Sequence, residues 1–326
     1  MKGIAMPDRS ATPSRVPQLD RLLGLADAAA PARTAVVHPV DAVSLEGAVE
    51  AARIGLIEPI LVGPRSRIVR AAEDAGIDIS ALPIENVEHS HAAAETACRL
   101  ARSGAVEALM KGSLHTDELL GAVVDRSQGL RTDRRMSHVF IMDVPTYPRP
   151  LFISDAAINI SPDLAAKADI VRNAIDCARA LGVGMPRVAL LAAVETVHAS
   201  MPATLDAAAL CKMADRGQIT GGILDGPLAF DNAVSPEAAE RKGIRSPVAG
   251  AADILIVPDI ESGNMMAKQL FYLAGAESAG IVMGARVPIM LTSRADGRMS
   301  RLASAAAALL VARRRREGLN NEDRPA

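Results

Sequence analysis

The chain is 326 residues long and 49% hydrophobic, and its 36 Lys and Arg against 38 Asp and Glu leave a net charge of -2. That is length for about two domains or one large one, with ample apolar sequence for a core, and no overall field to draw it onto nucleic acid or an anionic membrane. Aromatic residues make up 2% with Trp absent, which leaves base-stacking surfaces poorly supplied; three widely spaced cysteines, Cys98, Cys177 and Cys211, suit neither a disulfide framework nor a Cys-rich metal site and fit a reducing cytoplasm.

Residues 1–20 are broken by Pro7, Pro13 and Pro17 and by charges, so they read as a flexible tail rather than a signal peptide, and no later run reaches membrane-spanning length. Short apolar runs then alternate with Ala-, Leu-, Glu- and Arg-rich stretches of helical spacing. The pattern predicts a strand at 35–37, a helix at 44–54 opened by Asp41 or Ser44, a strand at 60–62, a helix at 91–101 and a strand at 108–110. A helix at 116–124 opened by Thr116, a strand at 151–153, a helix at 161–181 opened by Ser161, a strand at 188–192 and a helix at 204–214 opened by Thr204 follow. Strands at 223–224 and 254–257, a helix at 264–274, strands at 281–283 and 287–291 and a helix at 300–315 complete the chain.

Most strands are continuous apolar runs, as strands covered on both faces should be, and the fold class is α/β with largely parallel sheets. Residues 143–150 hold three prolines and mark one crossing between domains; 275–280 mark a second. The expected division is a first domain of 21–152 plus 281–326 and a second of 153–280, with ligands in the cleft between them. The final run Arg313-Arg314-Arg315-Arg316 reads as a basic, solvated helix end that complements the helix dipole.

Neither a Walker loop nor a Gly-x-Gly-x-x-Gly after a strand is present, and the six histidines, His38, His89, His91, His115, His138 and His198, lack metal-binding spacing. Four strand ends run into polar turns, where α/β sheets hold ligands. Lys111 and Gly112 offer a cation and close backbone approach. Asp225-Gly226-Pro227 predicts a tight turn that aims a carboxylate, and Asp259, Glu261, Gly263 and Asn264 gather at a helix start. Thr292, Ser293, Arg294 and Asp296, with Arg298, Ser300 and Arg301 behind them, combine hydroxyls, guanidinium and carboxylate before the last helix. An ordinary turn or cap remains an alternative for each.

Taken together, these segments resemble the phosphate acetyl/butyryltransferase family. The carrying stretches are Leu109-Met110-Lys111-Gly112, Gly129-Leu130-Arg131-Thr132 with Ser137-His138, and Ser154-Asp155-Ala156-Ala157-Ile158-Asn159. Ala193-Val194-Glu195, Lys212-Met213-Ala214, Asp225-Gly226-Pro227-Leu228, the block 248–264 and the block 288–296 continue the match in order.

The resemblance implies reversible transfer of a short acyl group between coenzyme A and inorganic phosphate, with acyl-CoA and an acyl phosphate as partners in the reaction and no metal or redox cofactor. It also implies the two-domain fold of isocitrate and isopropylmalate dehydrogenases, an interdomain cleft and a homodimer. Carried over by motif, Ser293 hydrogen-bonds the reacting group and Arg294 holds anionic substrate. Acetyl-type members have an aspartate seven residues after that serine, where this chain has Ser300, so Asp296 is the candidate base for the thiol.

Relatives often carry an arginine where this chain has Gly121, and Arg131, followed by Arg134 and Arg135, is the expected replacement. The substrate-binding set is Lys111, Gly112, Arg131, Asp225, Gly226, Pro227, Asp259, Gly263, Asn264, Thr292 and Ser300. Residues 129–138 and 154–163 lean toward the butyryl branch, leaving acetyl and butyryl both open. Two competing functions are a metal- and NAD-dependent hydroxy-acid dehydrogenase of the same fold and a non-catalytic acyl-CoA-sensing domain.

Overall fold

All nine predicted apolar runs become strands, and they join one 11-stranded sheet in a computed structural model that describes residues 14–291 and 297–322, with side chains through 318. In chain order the elements begin α1 (Pro17–Ala26), β1 (Ala32–Val37), α2 (Ala42–Arg53), β2 (Ile57–Gly63), α3 (Arg65–Ala75), β3 (Ile84–Asn86) and α4 (Ser90–Arg102). They continue with β4 (Ala108–Lys111), α5 (Thr116–Val124), β5 (Ser137–Asp143), β6 (Leu151–Ser154), α6 (Leu164–Ala180), β7 (Arg187–Leu191) and α7 (Pro202–Asp215). The remainder is β8 (Ile223–Leu228), α8 (Phe230–Val234), α9 (Pro236–Arg241), β9 (Ile254–Ile256), α10 (Ile260–Ala274), β10 (Glu277–Met283), β11 (Ile289–Met290) and α11 (Arg298–Glu322).

Helix starts shift where a better cap is available. Asp41 caps α2 by accepting from Ser44 N, and Asp163, not Ser161, caps α6. Asp259 caps α10, which starts at Ile260, four residues before the start expected at Asn264. Thr204 lies inside α7, fully buried, and Thr116 follows a His115 N-cap that makes no side-chain bond.

The expectation of a loose tail fails for residues 17–20. Pro17 opens α1, where its missing N–H costs nothing, Leu19 is fully buried, and the amides of Gln18 and Leu19 donate to Asp143 Oδ2 at 2.6 and 3.1 Å. Asp143 thus caps a helix far away in sequence, a partner no local pattern displays. At the other end, Arg315 donates to Arg286 O at 2.6 Å and Arg316 to Ala30 O at 3.2 Å, so half of the arginine run is tied to the fold rather than solvated.

The strand order is β3-β2-β1-β4-β11-β10-β5-β6-β9-β7-β8. β10 runs antiparallel to both neighbours, β11 and β5, and β5 antiparallel to β6; every other pairing is parallel. Side chains alternate across the sheet with period two. On one face Val36, Ile281, Val139, Ile141, Phe152, Val188 and Ile254 share a single core that crosses the whole sheet, and the buried alanines 303 and 305–308 let α11 settle onto it.

The opposite face is divided. Leu109, Ile289 and Val282 pack under α4 and α5, whereas Met142, Ile153, Ala189 and Leu255 pack with α8 and α10. Between these two clusters lies a seam at β5 and β10, where the side chains of buried His138 and half-buried Phe140 lie on the divided face beside Gly280.

Candidate active site

β1 begins a topological switch: the chain steps outward from it through β2 and β3, then returns to β4 on its other side. Crevices at such points, beyond the C-terminal ends of strands, are where open α/β sheets bind ligands. Here the ends are Val37-His38 and Lys111-Gly112. Gly112 N donates to Val37 O at 2.9 Å and Ser113 N to His38 O at 2.9 Å. A Cβ on Gly112 would lie 2.5 Å from Val37 O and 2.8 Å from His38 O, so the turn closes this tightly only with glycine.

His38 adopts φ 56, unusual for a residue with a Cβ, and its Nδ1 lies 3.0 Å from Ser113 O. Burial pushes its pKa down, and a neutral ring facing a carbonyl must carry its proton on Nδ1. Lys111 ends β4 with its Nζ 3.4 Å from Gly112 O.

β11 ends beside the same crevice. Leu291 O lies 3.4 Å from where a Gly280 Cβ would stand, so the last described residue of this segment reaches the seam. Thr292, Ser293, Arg294 and Asp296 lie outside the described residues. Beyond them, Arg298 pairs with Glu50, and Ser300, 5% exposed, donates its hydroxyl to Glu277 Oε2 at 3.2 Å. Glu277 was not singled out in the sequence, because nothing local ties the start of β10 to α11.

The other rim is organised by Asp155. Its Oδ1 accepts from the amides of His138, Ala157 and Ile158 at 3.3, 3.0 and 3.2 Å, and its Oδ2 from Asn159 N and Nδ2 at 3.0 and 2.5 Å. Asn159 Oδ1 in turn accepts from Arg135 Nε at 2.8 Å. An apolar strand running into Ser-Asp was the available signal for this network. Asp259 caps α10 through Ser262 N at 2.8 Å, and Asn264 Nδ2 donates to Ala156 O at 3.2 Å. A Cβ on Gly263 would come within 3.0 Å of Ala156 Cβ and 2.7 Å of Val257 Cγ2. Gly263 and Asn264 thus brace the 155–159 turn through Ala156, and Asp259 fixes the start of the helix that carries them.

On the floor of the seam, His138 meets Phe140 edge to face at 4.4 Å and Phe140 meets Phe271 of α10 at 6.2 Å. Burial pushes the His138 imidazole down to about 4, against the opposing pull of Asp155. It is therefore uncharged at neutral pH, and its buried Nδ1 has no hydrogen-bond partner among the described residues.

Two expected groups stand apart from this crevice. Arg131 pairs with Ala285 in the connection from β10 to β11, at the end of those strands remote from Gly280, Leu291 and Lys111. Asp225, Gly226 and Pro227 sit within edge strand β8, seven strands from β4 and on the order of 30 Å away across the sheet. The tight turn expected there is corrected: the strand runs through it, an edge position tolerates proline, and Gly226, whose added Cβ would lie 2.7 Å from Leu190 O, allows close approach to β7. Gly121 lines an open groove of about 930 Å³ between α4 and α5, and the cations there are Arg99 and Arg102, not Arg131.

Burial raises the thiols of Cys98 to about 11 and of Cys177 and Cys211 to about 12, so none supplies a nucleophilic thiolate at neutral pH. Among the described residues no cluster of His, Cys, Asp and Glu is arranged to hold a metal ion, and no helix is long and apolar enough to cross a membrane.

Residues 91–309 match the family model described as phosphate acetyl/butaryl transferase. The chain belongs to the phosphate acetyl/butyryltransferase family. It is 60% identical over 304 residues to a phosphate acetyltransferase of Rhizobium meliloti, covering 93% of this chain and 96% of that protein. Identity to a phosphate butyryltransferase of Clostridium acetobutylicum is 42% over 280 residues, 86% of this chain and 93% of the relative.

Among solved structures, a branched-chain phosphotransacylase from Enterococcus faecalis V583 superposes with TM-score 0.75 at 28% identity, covering 86% of this chain and 99% of that one. A 4-hydroxythreonine-4-phosphate dehydrogenase from Klebsiella pneumoniae reaches 0.53 at 15% identity over 86% of this chain and 99% of its own, a likeness of fold alone. The dehydrogenase and sensor alternatives give way to the transferase family, whose members match along most of the chain.

Proposed function

We propose that the seam between β5 and β10, with the crevice at β1, β4 and β11, is the active cleft in which this enzyme moves a short acyl group reversibly between coenzyme A and inorganic phosphate. The observation that carries the reading is the convergence of the Lys111-Gly112 turn, the end of β11 and the 155–159 turn on that seam, in a chain whose relatives are phosphate acyltransferases. The 60% identity to the Rhizobium meliloti phosphate acetyltransferase, against 42% to the Clostridium acetobutylicum phosphate butyryltransferase, supports acetyl as the favoured group.

In the proposed mechanism the thiolate of coenzyme A attacks the carbonyl of the acyl phosphate, the carbonyl oxygen gains negative charge, and phosphate departs. Ser293 donates a hydrogen bond at the reacting centre, Arg294 and Lys111 hold the phosphate, and Asp296 removes the thiol proton. Gly112 and Thr292 provide close backbone and hydroxyl contacts, while Ser300, bonded to Glu277, positions the start of α11. Gly263 and Asn264 act through the turn they brace, and Asp259 through the helix that carries them. The split of one face of the sheet into two cores supports two lobes, 21–152 plus 281–326 and 153–280.

A homodimer is proposed through α10, on which Met265, Tyr272 and Leu273 are 58%, 83% and 85% exposed. Sedimentation of Tyr272→Arg tests it: a wild-type dimer that becomes a monomer supports the face, and an unchanged dimer rejects it. A cytoplasmic location is supported by three free, mostly buried cysteines. The activity test is loss of thioester with release of free thiol from acetyl-CoA or butyryl-CoA, dependent on added phosphate; no phosphate-dependent release from either rejects the reading.

A further inference from the structure

Across the middle of the sheet, from β4 to β7, the half-buried positions at strand ends are Lys111, Glu277 and Arg187; within a strand, Phe140 alone is not buried. Its neighbours Val139 and Ile141 point into the undivided core, so its ring points to the divided face. There it stands at the seam, directly across from Gly280, with the buried His138 imidazole lying over that glycine and packed edge to face against the ring. Phe271 backs the ring from α10 and is likewise half-buried. The chain has only four Phe and no Trp, so two half-buried Phe rings meeting at one place is a marked concentration.

A large apolar ring left partly exposed on a central strand forgoes burial worth roughly 25 cal/mol per Å² of its open area unless something apolar covers it. In an acyltransferase cleft, the apolar part of the substrate is the acyl chain. We propose that Phe140, held by Phe271, is the wall of the acyl pocket and limits the length of chain the enzyme accepts. This rests on the acyl-transfer reading of the seam. It predicts that shortening residue 140 admits longer chains, whereas the polar machinery at Lys111 and after β11 is untouched.

The experiment compares kcat/KM for acetyl-CoA, propionyl-CoA and butyryl-CoA with phosphate in the wild type, Phe140→Leu, Phe140→Ala and Phe271→Ala, with thermal unfolding of each. A methylene in an apolar pocket discriminates by roughly 10–200-fold, so the butyryl-to-acetyl ratio should rise at least tenfold in Phe140→Ala, with smaller rises in Phe140→Leu and Phe271→Ala. Phe140→Leu carries the test if the alanine variant does not fold. A ratio unchanged within twofold in a folded, active variant overturns the proposal, as does an equal loss with all three thioesters. Absence of turnover by the wild-type enzyme with every thioester would instead refute the acyl-transfer reading, and the proposal with it.

Discussion

Gly280→Ala is the most direct probe of how the seam is built. The new Cβ would stand 2.9 Å from His138 Nε2 and 3.4 Å from Leu291 O. The second contact is ordinary, but the first is closer than packed atoms tolerate, and the imidazole is only 2% exposed with Phe140 against it at 4.4 Å. The ring has to turn or β10 has to shift, and overpacking of this kind costs roughly 1–3 kcal/mol.

That strain belongs to the pair rather than to the glycine alone. His138→Ala should therefore relieve it, giving the double variant a coupling of about 1 kcal/mol or more in the stabilising direction. Denaturant unfolding of the wild type, both single variants and the double variant measures this cycle, and phosphorolysis of acetyl-CoA reports whether the seam is restored. Strictly additive effects, within about 0.5 kcal/mol, would show that His138 does not fill the space over Gly280 and would refute the geometry of the floor.

His138 also makes a pH prediction. Its folded pKa, about 4, lies below the ordinary 6.5, so the unfolded chain binds the extra proton in that window. The stability it contributes is complete above about pH 6.5 and is lost as pH falls toward 4, with a limiting slope of about 1.4 kcal/mol per pH unit. Urea unfolding at pH 5 and pH 7 should show a steeper acid loss for the wild type than for His138→Gln; equal slopes would remove His138 as the cause. Arg294→Ala should lower kcat/KM by about 10² or more, the effect of losing a donor to developing charge, while the exposed Arg314→Ala leaves it unchanged, and similar small effects would take Arg294 out of the site. Gly112→Ala, with its Cβ forced against Val37 O, should abolish activity even where the protein still folds, so near-normal turnover in acetyl-CoA phosphorolysis would exclude the tight Lys111-Gly112 turn from the cleft.

Local pattern was sufficient for much of the architecture. Runs such as Ile60-Leu61-Val62 and Ile254-Leu255-Ile256 are apolar on consecutive residues, which only a strand covered on both faces requires, and they form the sheet as expected. β5 escaped notice because it starts with Ser137 and His138, polar groups that become buried only once Asp155 and Asn173 reach them from other elements. β3 is a three-residue edge strand, too short to leave a period. The family was legible because its motifs recur in order over most of the chain.

What tertiary structure decided is where those motifs meet. Lys111 and Arg131 are twenty residues apart in sequence, yet Lys111 ends β4 at the crevice while Arg131 pairs with the β10–β11 connection, and Asp225 belongs to an edge strand rather than to a turn at the cleft. The divided face, and with it the half-buried place of Phe140, follows from the reversal at β5 and β10, a pairing between residues more than a hundred positions apart. Periodicity records whether a side chain is covered; only the long-range register of the strands determines what covers it.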